Sequence, residues 1–255
     1  MNLYYQSQGS GQPLIILHGL FGSSDNWRGL AKKLAVHVQV ISVDLRNHGK
    51  SPHSEKISYD EMASDVIKLI KDLGLSQVDV IGHSIGGKVA MAMAASNAEK
   101  IRRLAIVDMA PKLYLDNHGD IFEALLALNL SQFNKRSEAD EVLAITIKDK
   151  SIRQFLLMNL TVIDGRIQWR INLQGLSDNY SQLLEPVCQG LLIDKPTLFL
   201  KAGLSNYIGQ ADEVMIKEIF INVDITTINQ AGHWIHAEYP SLFLTKVSDF
   251  FGYDK

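Results

Sequence analysis

Four short apolar runs, rich in β-branched residues and each closed by a loop-forming residue, constrain this chain more than any other feature. They cover residues 14–17, 38–43, 78–81 and 104–107, and they stop at Gly19, Asp44, Gly82 and Asp108. Runs that are short and apolar on both alternating faces suit parallel strands covered on two sides. Helical patterns lie between them at 27–34, 59–73 and 87–96. In the second, Met62, Val66, Leu69, Ile70 and Leu73 share one face, while Asp60, Glu61, Asp65, Lys68 and Asp72 lie elsewhere. Ser58 is placed to cap it, with Glu61 at capping-box spacing and Gly74 at the stop. Alternating strands and helices predict an α/β fold, a mostly parallel central sheet flanked by helices.

The rhythm breaks after Pro111. From there to Leu192 the pattern is helical or irregular, with helix candidates at 121–130 and 139–147 and a short extended piece at 165–170. Strand signals resume at 196–200 and 224–228, and a helix over 241–251 closes the chain. The reading is one α/β core split by a mostly helical insertion. At 255 residues, 46% of them hydrophobic, the chain can bury one sizeable core. With 25 Lys and Arg against 28 Asp and Glu, the net charge of -3 offers no basic surface for nucleic acid. The single cysteine, Cys188, has no internal partner and reads as a packing residue. No signal peptide and no apolar stretch of membrane-spanning length are present, so a cytoplasmic protein is expected.

The chemistry gathers at strand ends. Gly82-His83-Ser84-Ile85-Gly86 matches G-x-S-x-G, directly after one apolar run and directly before a helix of small residues. A sharp strand-to-helix turn needs small residues two before and two after its apex, and it lifts the serine hydroxyl clear of the sheet. Ser84 is therefore the candidate nucleophile, and Ile85 N–H, at the helix N-terminus, a candidate oxyanion donor. A glycine-rich packing turn without chemistry is the plainer alternative. Gly82 to Lys88 also spells G-x-x-x-x-G-K, but Val89 stands where a phosphate loop needs a hydroxyl.

His233, in Ala231-Gly232-His233-Trp234 after the last strand signal, is placed to be the general base. His236 falls in the next helical turn, and His37, His53 and His118 read as surface residues. The acid is less determined. The loop after 197–200 holds no carboxylate, whereas the strand before it ends in Asp108. Asp108 is the preferred acid; Asp212, or no acid, are the alternatives left open. His18-Gly19-Leu20 lets backbone pass close to the serine, with Leu20 N–H as second oxyanion donor and His18 structural. Residues 44–51, with Arg46, read as structural support. No His or Cys pairing suggests a metal, and no cofactor is expected.

Together LHGLFGS at 17–23, DLRNHGKS at 44–51, GHSIGG at 82–87, VDMAP at 107–111 and AGHW at 231–234 resemble the α/β-hydrolase superfamily, and within it the YbfF-type bacterial esterases. The resemblance implies a Ser84–Asp108–His233 triad with Leu20 and Ile85 as oxyanion donors. It implies a core of residues 1–111 and 191–255, with 112–190 as a helical cap. It also implies hydrolysis of short to medium acyl esters or acyl-CoA thioesters, by a monomer or homodimer with a small-molecule substrate. C–C bond hydrolysis, perhydrolysis or elimination on the same triad, and a non-catalytic ligand-binding protein, are the competing readings. In the cap, Ile121, Phe122, Leu125, Leu126 and Leu128 supply either an apolar lining or the cap's own core.

Overall fold

The computed structural model describes residues 1–253. The core strands are β1 (Tyr5–Gln8), β2 (Pro13–Leu17), β3 (Gln39–Val43), β4 (Val78–His83), β5 (Ile101–Val107), β8 (Thr197–Ala202) and β9 (Val223–Ile228). They form one sheet in the order β1-β3-β2-β4-β5-β8-β9. All neighbours are parallel except β1, which pairs antiparallel with β3. β1 escaped the sequence reading because Tyr5-Gln6-Ser7-Gln8 is polar. It is an edge strand and needs no apolar faces.

Period-two alternation splits each inner strand between the two sides of the sheet. Ile15 and Leu17 join one apolar group with α2 (Tyr59–Asp72) and α3 (Ile85–Ser96). Leu14 and Ile16 join the other with α1 (Arg28–Leu34) and α11 (Pro240–Phe251). The α2 cap is half of the box expected. Ser58 accepts from Glu61 N–H, but the Glu61 carboxylate goes to Arg46 at 2.9 Å. Asp65, placed by its sequence on the polar side of α2, is buried because Arg46 Nε donates to its Oδ2 at 2.7 Å. Gly74 does end the helix, at φ 66°.

Between β5 and β8 the chain leaves the sheet. It forms α4 (Gly119–Leu126), α5 (Arg136–Leu143), α6 (Lys150–Leu157), α7 (Leu173–Asp178) and α8 (Tyr180–Leu184). The extended piece is real and has a partner: β6 (Leu160–Ile163) and β7 (Arg166–Trp169) make a hairpin turned by Asp164-Gly165, both at positive φ. After β8 come α9 (Gln210–Ile219), β9 and the short α10 (Ile235–Glu238). Lys88 of α3 is fully buried, and its Nζ donates to the carbonyls of Leu184 and Glu185 at 3.2 and 2.6 Å. It ties the end of the inserted segment to the core. Among the described residues, no helix is long and apolar enough to cross a membrane.

Candidate active site

Ser84 sits between β4 and α3 at φ 53°, ψ -124°, a conformation L-residues rarely hold. The flanking glycines explain how the turn closes. A Cβ on Gly82 would lie 2.3 Å from the Gly86 carbonyl oxygen, and one on Gly86 would lie 2.5 Å from the carbonyl oxygens of Leu17 and His18. Side chains at those positions would force the turn open. Ile85 opens α3, where the first backbone N–H groups have no intrahelical partner.

The loop after β2 passes against this turn. A Cβ on Gly19 would lie 3.2 Å from Ser84 Cβ and 2.9 Å from His83 Nδ1. The Gly19 carbonyl accepts from Gly22 N–H at 2.9 Å and from His18 Nδ1 at 2.8 Å. A trans peptide then directs Leu20 N–H to the opposite side. His18 holds the loop: its Nε2 accepts from Leu45 N–H at 3.0 Å, joining the turns after β2 and β3.

Asp108, the residue after β5, is fully buried at φ 46°. Its Oδ1 accepts from Ala202 N–H at 3.0 Å, and its Oδ2 lies 2.8 Å from His233 Nδ1. A carboxylate only accepts, so Nδ1 carries the proton and Nε2 is left as the basic nitrogen. Asp212 is engaged elsewhere. It accepts from Gly209 N–H at 2.7 Å and pairs with Lys112 at 2.6 Å, at the start of α9. Ser84 and His233 line one cavity of about 240 Å³. Cys188 is buried apart from it, with burial pushing its thiol up to about 12.

Several residues around His233 were not legible as site residues. His83, the variable position before Ser84, donates from Nε2 to the His233 carbonyl at 3.0 Å and so fixes the loop that carries the imidazole. Tyr207 stacks on the His233 ring with centroids 3.9 Å apart and planes 17° apart. It stands in the loop after β8 that lacks a carboxylate. His118 is a correction to the surface assignment: it lines the cavity, and its Nδ1 meets Tyr180 Oη at 2.7 Å. Of the apolar stripe in the insertion, Ile121 lines the cavity, whereas Phe122, Leu125 and Leu128 are buried and Leu126 is exposed. His236 stacks face to face on Trp27 at 4.2 Å.

Burial holds several imidazoles neutral, including that of His48 in the turn after β3: His18 and His118 are lowered to about 4, and His48 and His236 to about 3. The unfolded chain takes up protons near pH 6.5 that the fold refuses. Stability from these groups is therefore complete above pH 6.5 and is lost as pH falls, toward 4 for His18 and His118 and toward 3 for His48 and His236, by up to about 1.4 kcal/mol per unit for each group. The thermal unfolding midpoint should drop steeply between pH 6.5 and 4. A midpoint flat across that range would mean that the rings are not held neutral.

The comparisons with known proteins agree with this architecture. A family profile described as "alpha/beta hydrolase fold" matches residues 12–240. The chain is 34% identical to esterase YbfF of Escherichia coli K12, over 95% of this chain and 94% of that one. It is 38% identical to the sn-1-specific diacylglycerol lipase ABHD11 of Danio rerio, over 96% of this chain and 80% of that one. Among solved structures, one called a marine microorganism esterase superposes with a TM-score of 0.95 at 39% identity, covering 98% of this chain and 99% of that one. The chain belongs to the α/β-hydrolase fold family, as its motifs and their order along the sequence led one to expect.

Proposed function

We propose that this chain is a serine esterase in which Ser84 is the nucleophile, His233 the general base and Asp108 the acid that orients it. The observation that carries the reading is the buried Asp108 carboxylate, 2.8 Å from Nδ1 of an imidazole that shares a cavity with a serine at a strained strand-to-helix turn. Relatives named as esterases, 34–39% identical over most of the chain, support a carboxylic ester hydrolase.

The reaction runs in two halves. Ser84 Oγ bonds to the acyl carbon as His233 Nε2 takes its proton. The negative oxygen of the tetrahedral intermediate is held by Leu20 and Ile85 N–H. The C–O bond to the alcohol breaks, and His233 returns the proton to the departing oxygen. Water then attacks the acyl-serine, giving its proton to His233, and Ser84 recovers a proton as the free acid leaves. A thioester follows the same path with sulfur as the leaving atom. Asp108 keeps the imidazole in one tautomer and stabilises it when protonated. Residues 112–190 act as the cap, contributing Asn117, His118, Ile121, Ile152, Phe155 and Leu156 to the cavity wall. The core is then 1–111 with 191–255.

A fluorophosphonate probe tests the reading directly. It should label Ser84, as peptide mass mapping would locate, and block hydrolysis of a nitrophenyl ester in parallel. A folded protein that is not labelled would instead be a ligand-binding member of this fold.

A further inference from the structure

Ser84 lines two adjoining cavities of very different size, which share Leu20, Asn117, His118 and Tyr207 as common walls. The larger, about 240 Å³, has Phe21, Ile121, Ile152, Phe155, Leu156 and Trp234 among its walls, together with His233. The smaller, about 20 Å³, is a recess bounded by Leu20, Ile85, Met109, Tyr114, Tyr180 and Leu183, and His233 is not part of its wall. Neither is lined by Asp, Glu, Lys or Arg.

Building on the serine esterase reading, we infer that the recess is the acyl subsite and the larger cavity the alcohol subsite, so that the preferred substrates are acetyl-sized esters of bulky, neutral, apolar alcohols. The tetrahedral carbon on Ser84 carries three other substituents. Its oxyanion must face the N–H groups of Leu20 and Ile85. Its leaving oxygen must come within hydrogen-bond reach of His233, which returns the proton. That oxygen therefore lies on the side of the cavity that His233 lines, and the alcohol extends into it. The acyl chain takes the remaining direction, into the recess that His233 does not border. A space of about 20 Å³ holds little more than one water-sized group. A methyl fits, whereas a longer chain needs the walls to move.

Those walls are tied. Tyr114 Oη accepts from Ala110 N–H and donates to the Tyr207 carbonyl, both at 2.8 Å. Tyr180 Oη is held between Asn117 Oδ1 at 3.0 Å and His118 Nδ1 at 2.7 Å. From behind, Tyr59 Oη donates to the Leu183 carbonyl at 2.6 Å, and buried Lys88 grips the carbonyl of Leu184. Enlarging the recess would break several of these hydrogen bonds, which costs more than one added methylene gains.

The test is kcat/KM for 4-nitrophenyl esters of one leaving group and acyl chains from acetyl to octanoyl. An optimum at acetyl or propionyl, with a fall of about tenfold or more by hexanoyl, is expected. An optimum at butyryl or longer overturns the assignment. Leu183→Ala, which deepens the recess, should raise the hexanoyl-to-acetyl ratio by about tenfold. A folded variant with an unchanged ratio also overturns it. The wild-type profile stands alone if that variant does not fold. Ser84→Ala run alongside separates the two levels. Turnover that survives it defeats the serine mechanism, whereas turnover lost with a long-chain optimum defeats only the subsite assignment.

Discussion

Ser84→Ala should lower ester turnover by about 10⁴-fold or more while the protein still folds. The proposed acyl-enzyme cannot form without Oγ, and the oxyanion donors alone retain only a small part of the rate enhancement. Stability adds a second readout. The residue is held at φ 53°, where an L-residue is strained and glycine is not. Ser84→Gly should therefore be as inactive as the alanine variant yet unfold at higher temperature, with a gain of about 1 kcal/mol. An alanine variant within about tenfold of wild-type turnover would remove Ser84 from the chemistry. A glycine variant less stable than wild type would mean that the turn is not a strained element.

Asp108→Asn should cost nearly as much, about 10⁴-fold in kcat. The substitution is close to isosteric, and asparagine tolerates the positive φ that Asp108 adopts, so the backbone should stay in place. The electronic change is larger. An amide N–H turned toward His233 Nδ1 favours the tautomer with its proton on Nε2, which cannot accept the proton of Ser84. Ala202 N–H would still find the amide oxygen, so loss of activity should come without loss of fold. Asp212→Asn is the control, because that carboxylate serves Gly209 and Lys112 and does not meet the imidazole. If Asp212→Asn lowered kcat sharply and Asp108→Asn did not, the acid would be misassigned.

Much of the candidate site was legible because its local requirements leave marks in neighbouring residues. A turn as tight as that at Ser84 excludes side chains at 82 and 86, and the glycines there report it directly. Strands buried on both faces are mostly apolar, so β2 to β5 stood out, while the polar edge strand β1 did not. His118 was misplaced for a related reason. Its sequence neighbours Asn117 and Gly119 are those of a surface loop, and the ring turns inward only because Tyr180, far along the chain, receives it. Asp65, off the apolar face of its helix in the sequence, is likewise buried through Arg46 from another turn.

Local chemistry written in consecutive residues thus belonged to the sequence alone: the strand–turn–helix bearing Ser84, the order of the sheet-forming segments, and the position of His233 beyond the last strand. The contact of Asp108, rather than Asp212, with His233 did not. It depended on β5 lying beside β8 in the sheet, which brings the end of one strand under a loop 125 residues further on. The stacking of Tyr207 on His233, and the unequal spaces that Ser84 lines, were likewise set by packing between distant segments. Such contacts are selected by the shape of the whole interior, and no short stretch of sequence carries that information.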